Sequence, residues 1–320
     1  MLNSFKNLAR FCSDLSSHGF SSLRMRSLSF LSGIFFIGFL FQGCGASSYN
    51  NFEKHTLYGH KDICIVSQYT PKMAKFAEIA KKNHEKYASK HGYTYEVYNG
   101  RISGQTFLDP SRGNENHLRG GGLYWQKVMA TKNLMNSMNQ DGTQPLCAWV
   151  FWVDTDILFT DMNTSIESLI ARWDAASERG VETSLFLPKD ESGVVPTIKI
   201  NNGAYLLKNN AWGKAFIQAI EDSYAQYKDD STPEQDAFQD YVYQEFKTSA
   251  HRPARVFDES RVQREVVLVP QRAFDSFYRP GYSDPVSAKW QRGDFIAHFS
   301  GISNSTRVSE MKKVIHDLGL

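Results

Sequence analysis

Two carboxylates, Asp154 and Asp156, close a continuous apolar run, CAWVFWV over residues 147–153. In an extended chain, residues i and i+2 point the same way, so both acids leave one end of a buried strand together. Two like charges that near repel, and burying both is costly without a cation. A hard divalent ion with oxygen ligands resolves the conflict, and such an ion can also neutralise a departing diphosphate. Taken alone, the same spacing also fits a solvated turn after a strand. His298 lies in a second apolar stretch, GDFIAHFSG over residues 293–301. It reads either as a core histidine with satisfied ring nitrogens or as a third ligand. One imidazole beside carboxylate oxygens leans toward Mn²⁺ over Mg²⁺. The other eight histidines form no ligand spacing.

The elements that must hold these groups alternate strand and helix from about Lys61 onward, the pattern of an α/β fold. ICIVS at 63–67 is a buried strand, and Thr70 with Pro71 can cap the helix that follows. Met73, Phe76, Ala77, Ala80 and Tyr87 give that helix its core face, and Gly92 stops it. A strand over 93–98 completes a βαβ unit, which places ligand space at the strand ends. Residues 99–122 are polar and rich in Gly and Asn. Their Gly120-Gly121-Gly122 lacks the companions of a phosphate-binding loop. A helix from Tyr124 to about Met138 precedes the Asp154 strand, and Thr164-x-x-Glu167 reads as a capping box after it. Further strands are expected at 184–188, 197–200, 203–207, 265–269 and 294–299. A helix carries Trp212, Phe216, Ile220 and Tyr224 at i+4 spacing.

In this order the segments resemble glycosyltransferase family 34, a galactosyl transferase group of the GT-A nucleotide-diphospho-sugar transferase fold. The matching stretches are ICIVSQYT, YASKHGYTY, Tyr124-Trp125-Gln126-Lys127, VFWVDTDILF, NNGAYLLKN at 201–209, Glu234-Gln235-Asp236, VPQRAFDS at 269–276 and GDFIAHFSG. The resemblance implies an α/β fold with a mixed, mostly parallel central sheet flanked by helices. It implies a metal-dependent enzyme moving a hexose or pentose from a nucleotide-diphosphate sugar to a glycan or other hydroxyl acceptor, with retention. Asp154 and Asp156 would bind nucleotide and metal (Mn²⁺, with Mg²⁺ possible), and His298 would be the further metal ligand. Ser67, Gln68 and Tyr69 would border the nucleobase. Lys127 and Asn202-Gly203 would line the donor, with Gln235 near the anomeric carbon and Asp236 beside it. A lysine common in the family after HF-x-G is Ser303 here; Arg307 is the next basic residue and the candidate substitute for the diphosphate contact. Asp275 stands where the family often has Asn. A glycan-binding module on a degenerate transferase fold is the alternative function, and a metal-dependent hydrolase is a third.

Composition sets the remaining bounds. The 320 residues carry a net charge of +2, with 41% apolar residues and four cysteines. Residues 1–50 hold a net +3, which leaves 32 basic against 33 acidic residues downstream, so the folded part gives no reason to expect nucleic acid. Residues 1–27 are a basic tail. Residues 28–43 are an apolar segment, too short for an ordinary span, which reads as a signal anchor or a lipoprotein signal. The first reading makes a single-pass type II membrane protein, Golgi-luminal in a eukaryote. The second starts at Met25 and lipidates Cys44 in a bacterium. Residues 44–58 read as a linker, and 59–320 as the catalytic domain. Cys64 and Cys147 fall in strands and read as buried thiols. Four cysteines are too few for a disulfide-built scaffold.

Overall fold

The computed structural model describes residues 53–100, 102, 124–176, 183–244 and 262–320. The basic tail, the apolar segment 28–43, Cys44 and most of the 99–122 loop lie outside the described residues. No helix among the described residues is long and apolar enough to cross a membrane.

In chain order the elements are β1 (Glu53–Leu57), β2 (Ile63–Tyr69), α1 (Ala74–His91), β3 (Thr94–Asn99), α2 (Gln126–Met135), β4 (Trp149–Val153), β5 (Ile157–Phe159) and α3 (Ile166–Ala176). They continue as β6 (Leu185–Pro188), β7 (Ala204–Lys208), α4 (Ala211–Asp222), α5 (Tyr224–Tyr227), α6 (Pro233–Tyr243) and α7 (Val262–Glu265). The last are β8 (Val266–Val269), α8 (Gln271–Phe274), β9 (Ile296–His298) and α9 (Asn304–Leu318). Seven strands form one sheet in the order β1-β3-β2-β4-β7-β6-β8. β1 and β7 run against the other five, so the sheet is mixed and mostly parallel.

The sheet is buried on both faces. Along β4, Val150 and Trp152 enter one core with Val128, Trp212 and Phe238, while Phe151 and Val153 enter the other with Phe76, Tyr87 and Met311. That alternation is why β4 reads as an unbroken apolar run. β2 is adjacent to β3 on one side and β4 on the other. The chain winds outward through α1 to β3, then crosses back to β4. The carboxyl ends of β2 and β4 therefore flank the point where the winding changes direction, where open α/β sheets bind ligands.

Four local expectations are corrected. β1 occupies part of the expected 44–58 linker, pairing antiparallel with β3 over Glu53↔Asn99 to Leu57↔Tyr95. Its backbone thus covers the edge that β3 would otherwise expose. Thr70 makes no side-chain cap; Pro71–Met73 form a 3₁₀ turn that leads into α1, and Gly92 ends the helix at φ 74°. The box at Thr164 and Glu167 does not form: Ser165 Oγ accepts from Ser168 N at 3.2 Å, while Glu167 binds Lys61 and the Tyr93 hydroxyl. Residues 197–200 form no strand, only a bridge between Lys189 and Ile200.

The cysteines are also corrected. Cys64 and Cys147 are joined as a disulfide across 83 residues, tying β2 to the approach to β4. β2 and β4 are neighbours, with Ile63 paired to Trp149 and Cys64 to Val150, and Cys147 lies just ahead of β4 at the same end of the sheet.

Candidate active site

The site is built where three chain segments meet at the end of β4. Backbone comes first. Asp154 N donates to Gly203 O at 2.8 Å, which fixes the Asn201–Gly203 turn ahead of β7 against the acidic pair. Asp156 O accepts from Phe299 N at 2.9 Å, and Ile157 pairs with His298 in the two-stranded β5–β9 ladder. Asp156 and His298 therefore sit at one end of the same ladder. The side chains follow: His298 Nε2 is 3.2 Å from Asp156 Oδ1. One ligand atom from each of Asp154, Asp156 and His298 lies within 4.8 Å of the others.

His298 is buried and its two nitrogens have different partners. Nδ1 lies 2.5 Å from Asp275 Oδ1. A carboxylate can only accept, so Nδ1 carries a proton and Nε2 is left to face the two aspartates. Such carboxylate–histidine pairs orient a ring and raise its basicity as a metal ligand. The three groups therefore fit a divalent cation: two partly exposed carboxylates, and one imidazole whose Nε2 is already aimed at them. Gly203 is required beside them. A Cβ there would stand 2.5 Å from His298 Cε1 and 3.0 Å from Nδ1.

Two cations flank the acids. Lys127, on α2 and buried, has Nζ 3.3 Å from Asp154 Oδ1 and 3.2 Å from Glu234 Oε1. The same ammonium reaches Asn202 O at 3.3 Å and Asn202 Oδ1 at 3.2 Å. Trp152 Nε1 donates to Asp154 Oδ1 at 2.8 Å. Arg307 Nη2 is 3.3 Å from Asp156 Oδ2, its Nε donates to Phe299 O at 3.0 Å, and its guanidinium lies over the Phe76 ring. Ser303 accounts for that placement. Its Oγ accepts from Thr306 N at 3.2 Å as the cap of α9, so Arg307 falls in the first turn, facing the site.

The electrostatics follow from this packing. Burial opposes the charge on Asp156, but His298 and Arg307 outweigh it and hold the carboxyl down at about 2. Burial pushes Asp154 up, against the pull of Lys127. Burial likewise opposes a charged His298, yet Asp275 and Asp156 raise it to about 10. Asp275 itself is pushed up to about 6 by burial, with His298 pulling the other way. Lys127 is disfavoured by burial and held charged by Asp154 and Glu234, above its ordinary value.

Of the residues expected from sequence, Lys127, Asp154, Asp156, Asn202, Gly203, His298 and Arg307 converge here. Gln235 joins them through Asn202, whose amide donates to Gln235 Oε1 at 3.3 Å. Asp236 follows on α6, buried, with its amide on Thr232 O at 2.7 Å. The carboxyl end of β2 touches the acidic turn where Thr155 Oγ1 lies 3.5 Å from Gln68 O. Gln68 Nε2 donates to Gly100 O at 2.9 Å, and the Tyr69 hydroxyl to Glu78 at 2.5 Å. Ser67 is turned inward, its Oγ 3.3 Å from His84 Nδ1. Two further residues belong to the site. Asp275 was visible in sequence only as Asp where Asn is frequent, and Glu234 as the neighbour of Gln235 and, with Asp236, a possible carboxylate nucleophile.

Comparison with known proteins bears on the family and the fold. Residues 63–308 match the model of the galactosyl transferase GMA12/MNN10 family. A stretch of 98 residues is 33% identical to proteins described as Probable glycosyltransferase 3 from Oryza sativa subsp. indica and subsp. japonica. That stretch is 30% of this chain and 18% of each rice protein, so the match spans under a fifth of those relatives. The crystal structure of a glycosyltransferase involved in the glycosylation of the major capsid of PBCV-1 is similar with a TM-score of 0.51 at 16% identity. The match covers 79% of this chain and 100% of that one. At that identity the likeness is one of fold, the GT-A arrangement.

Proposed function

The chain belongs to the galactosyl transferase GMA12/MNN10 family, and from that premise we propose that it is a metal-dependent glycosyltransferase. It moves a hexose or pentose from a nucleotide-diphosphate sugar to a hydroxyl of a glycan or other acceptor, with retention. The observation that carries this reading is the His298 ring, fixed by Asp275 so that Nε2 faces Asp156 beside Asp154. Asp154, Asp156 and His298 would hold Mn²⁺, with Mg²⁺ the weaker fit to an imidazole. Held there, the ion would supply positive charge to the departing diphosphate.

The protein's own groups do the rest. The bond from the anomeric carbon to the diphosphate oxygen breaks with its electron pair going to the diphosphate. The acceptor oxygen forms the new bond on the same face, and its proton passes to the departing phosphate oxygen. Lys127 and Arg307, on opposite sides of the acids, add positive charge where that negative charge grows. Arg307 stands in for the lysine that Ser303 replaces, which favours turnover over a binding-only module. Gln235 and Asn202 are tied by one hydrogen bond and would present the sugar. A covalent route through Glu234 is less well supported, because its Oε1 is engaged by Lys127.

We also propose attachment to a membrane through residues 28–43, with the domain on a non-cytosolic face as a type II protein or as a lipoprotein modified at Cys44. The Cys64–Cys147 disulfide supports an oxidising compartment. The enzymatic reading is tested by nucleoside diphosphate release from a panel of nucleotide sugars with Mn²⁺. Release by the wild type and its loss in Asp156→Ala are expected. Equal release by both would refute the assignment.

A further inference from the structure

β5 has two edges. The residues facing β9 bond to it, as Asp156 O does with Phe299 N at 2.9 Å and Thr160 N with Phe295 O at 2.8 Å. Ile157 and Phe159 turn their backbone groups the other way, where no strand is paired among the described residues. A buried strand edge must find partners. Here the partners are side chains of α1. Asn83 Nδ2 donates to Phe159 O at 3.0 Å and its Oδ1 accepts from Phe159 N at 2.7 Å, so one amide imitates a paired residue. His84 Nε2 lies 2.9 Å from Ile157 O. The same helix face continues along the chain: the Tyr87 hydroxyl donates to Thr164 O at 2.7 Å, and His91 Nε2 lies 3.0 Å from Met162 O.

His84 also faces β2. A carbonyl can only accept, so Nε2 carries the proton and Nδ1 accepts, with Ser67 Oγ at 3.3 Å. One imidazole thus ties the carboxyl end of β2 to the residue next to Asp156. The strand it braces is three residues long and pairs Ile157 with His298, directly after Asp156. A slip of β5 against β9 would part Asp156 Oδ1 from His298 Nε2.

We propose that Asn83 and His84 are positioning residues for the cation site, fixing the unpaired edge of β5 so that Asp156 and His298 keep their spacing. The inference rests on the metal-binding reading above. Outer residues that orient metal ligands typically carry about 10–100-fold in affinity, and a brace acting through backbone belongs at the low end.

The test titrates Mn²⁺ alone, following the signal of the free ion by electron paramagnetic resonance. Asn83→Ala should bind Mn²⁺ roughly tenfold more weakly than wild type. His84→Leu should do the same, and His84→Gln should recover affinity because its amide can still donate to Ile157 O. His91→Ala, on the same helix but bonded five residues further along the chain, should bind as wild type does. A folded Asn83→Ala with wild-type affinity overturns the inference, as does a loss in His91→Ala as large as that in Asn83→Ala. If Asn83→Ala does not fold, Asn83→Asp replaces it. It keeps the acceptor for Phe159 N and loses only the donor, and unchanged affinity there is equally fatal. Wild type that fails to bind Mn²⁺ sinks the metal reading and this inference with it. Wild type that binds while the Asn83 variants match it sinks this inference alone.

Discussion

Asp275 Oδ1 stands 2.5 Å from His298 Nδ1, and that contact decides which ring nitrogen is left for a cation. With Nδ1 committed to a carboxylate, only Nε2 can turn to Asp156. In the metal-free protein Nε2 is protonated at neutral pH, because Asp275 and Asp156 raise His298 to about 10 against the opposing effect of burial. A cation must therefore displace that proton.

Metal affinity should rise with pH. One proton is exchanged per ion, so apparent affinity should increase about tenfold per pH unit below the His298 value of about 10. Calorimetric titration of Mn²⁺ in two buffers of different ionisation enthalpy measures the proton released. A flat pH profile in wild type would refute the exchange. Asp275→Ala should weaken binding by about 10–100-fold, since the ring loses both its orientation and its tautomer.

The same shift makes a stability prediction of definite sign. A histidine raised from 6.5 to about 10 stabilises the fold fully below pH 6.5, and the contribution is lost as pH rises through 10. Thermal melts in chelator should therefore fall over that window. Saturating Mn²⁺ should flatten the fall, because the proton has already left. A His298→Gln protein should lack the decline in chelator.

Arg307→Ala should separate metal binding from turnover. Its guanidinium neutralises Asp156 from the side of α9. Removing a positive charge beside a cation site should leave Mn²⁺ affinity unchanged or improved. On the proposed chemistry, losing the cation meant to face the departing diphosphate should lower kcat by roughly 10²–10³-fold. Arg307→Lys should recover part of the rate, though an ammonium cannot bond Phe299 O and Asp156 with the planar fork of arginine. Equal loss of metal affinity and rate would mean that Arg307 only supports the fold.

Gly203→Ala should disturb His298 directly. The new Cβ would meet a ring held by Asp275 on one nitrogen and facing Asp156 on the other, so the ring cannot yield cheaply. A loss of about 1–3 kcal/mol in stability is expected, with a fall in Mn²⁺ affinity. A variant with wild-type melt and affinity would show that the turn moves instead.

Much of this site was legible in sequence because period-2 burial and ligand chemistry leave local marks. Asp154 and Asp156 follow an apolar run, His298 lies in another, and the order of segments carried the fold. What was not legible depends on contacts between distant segments. Asp275 meets His298 only because His298 N bonds Ser276 O and the ring turns back one residue. Asn83 and His84 carry no mark of their role in the sequence, because that role exists only once β5 lies beside them. β1 was missed because a polar edge strand has no apolar run to announce it.

The disulfide is the remaining case of a distant contact, and it yields a test of compartment as well as stability. Cys64 and Cys147 close a loop with a sequence separation of 83 residues. In the chain-entropy picture a link of that span stabilises by about 4–5 kcal/mol, mainly by restricting the unfolded chain. Protein recovered from its native compartment should yield a Cys64–Cys147 linked peptide on non-reducing digestion and mass spectrometry. Replacing both residues by Ala should lower the melting temperature. Mn²⁺ affinity should stay unchanged, since the bond lies at the opposite end of β2 and β4 from the acids. Free thiols at both positions in natively expressed protein would place the domain in a reducing compartment and overturn the non-cytosolic topology.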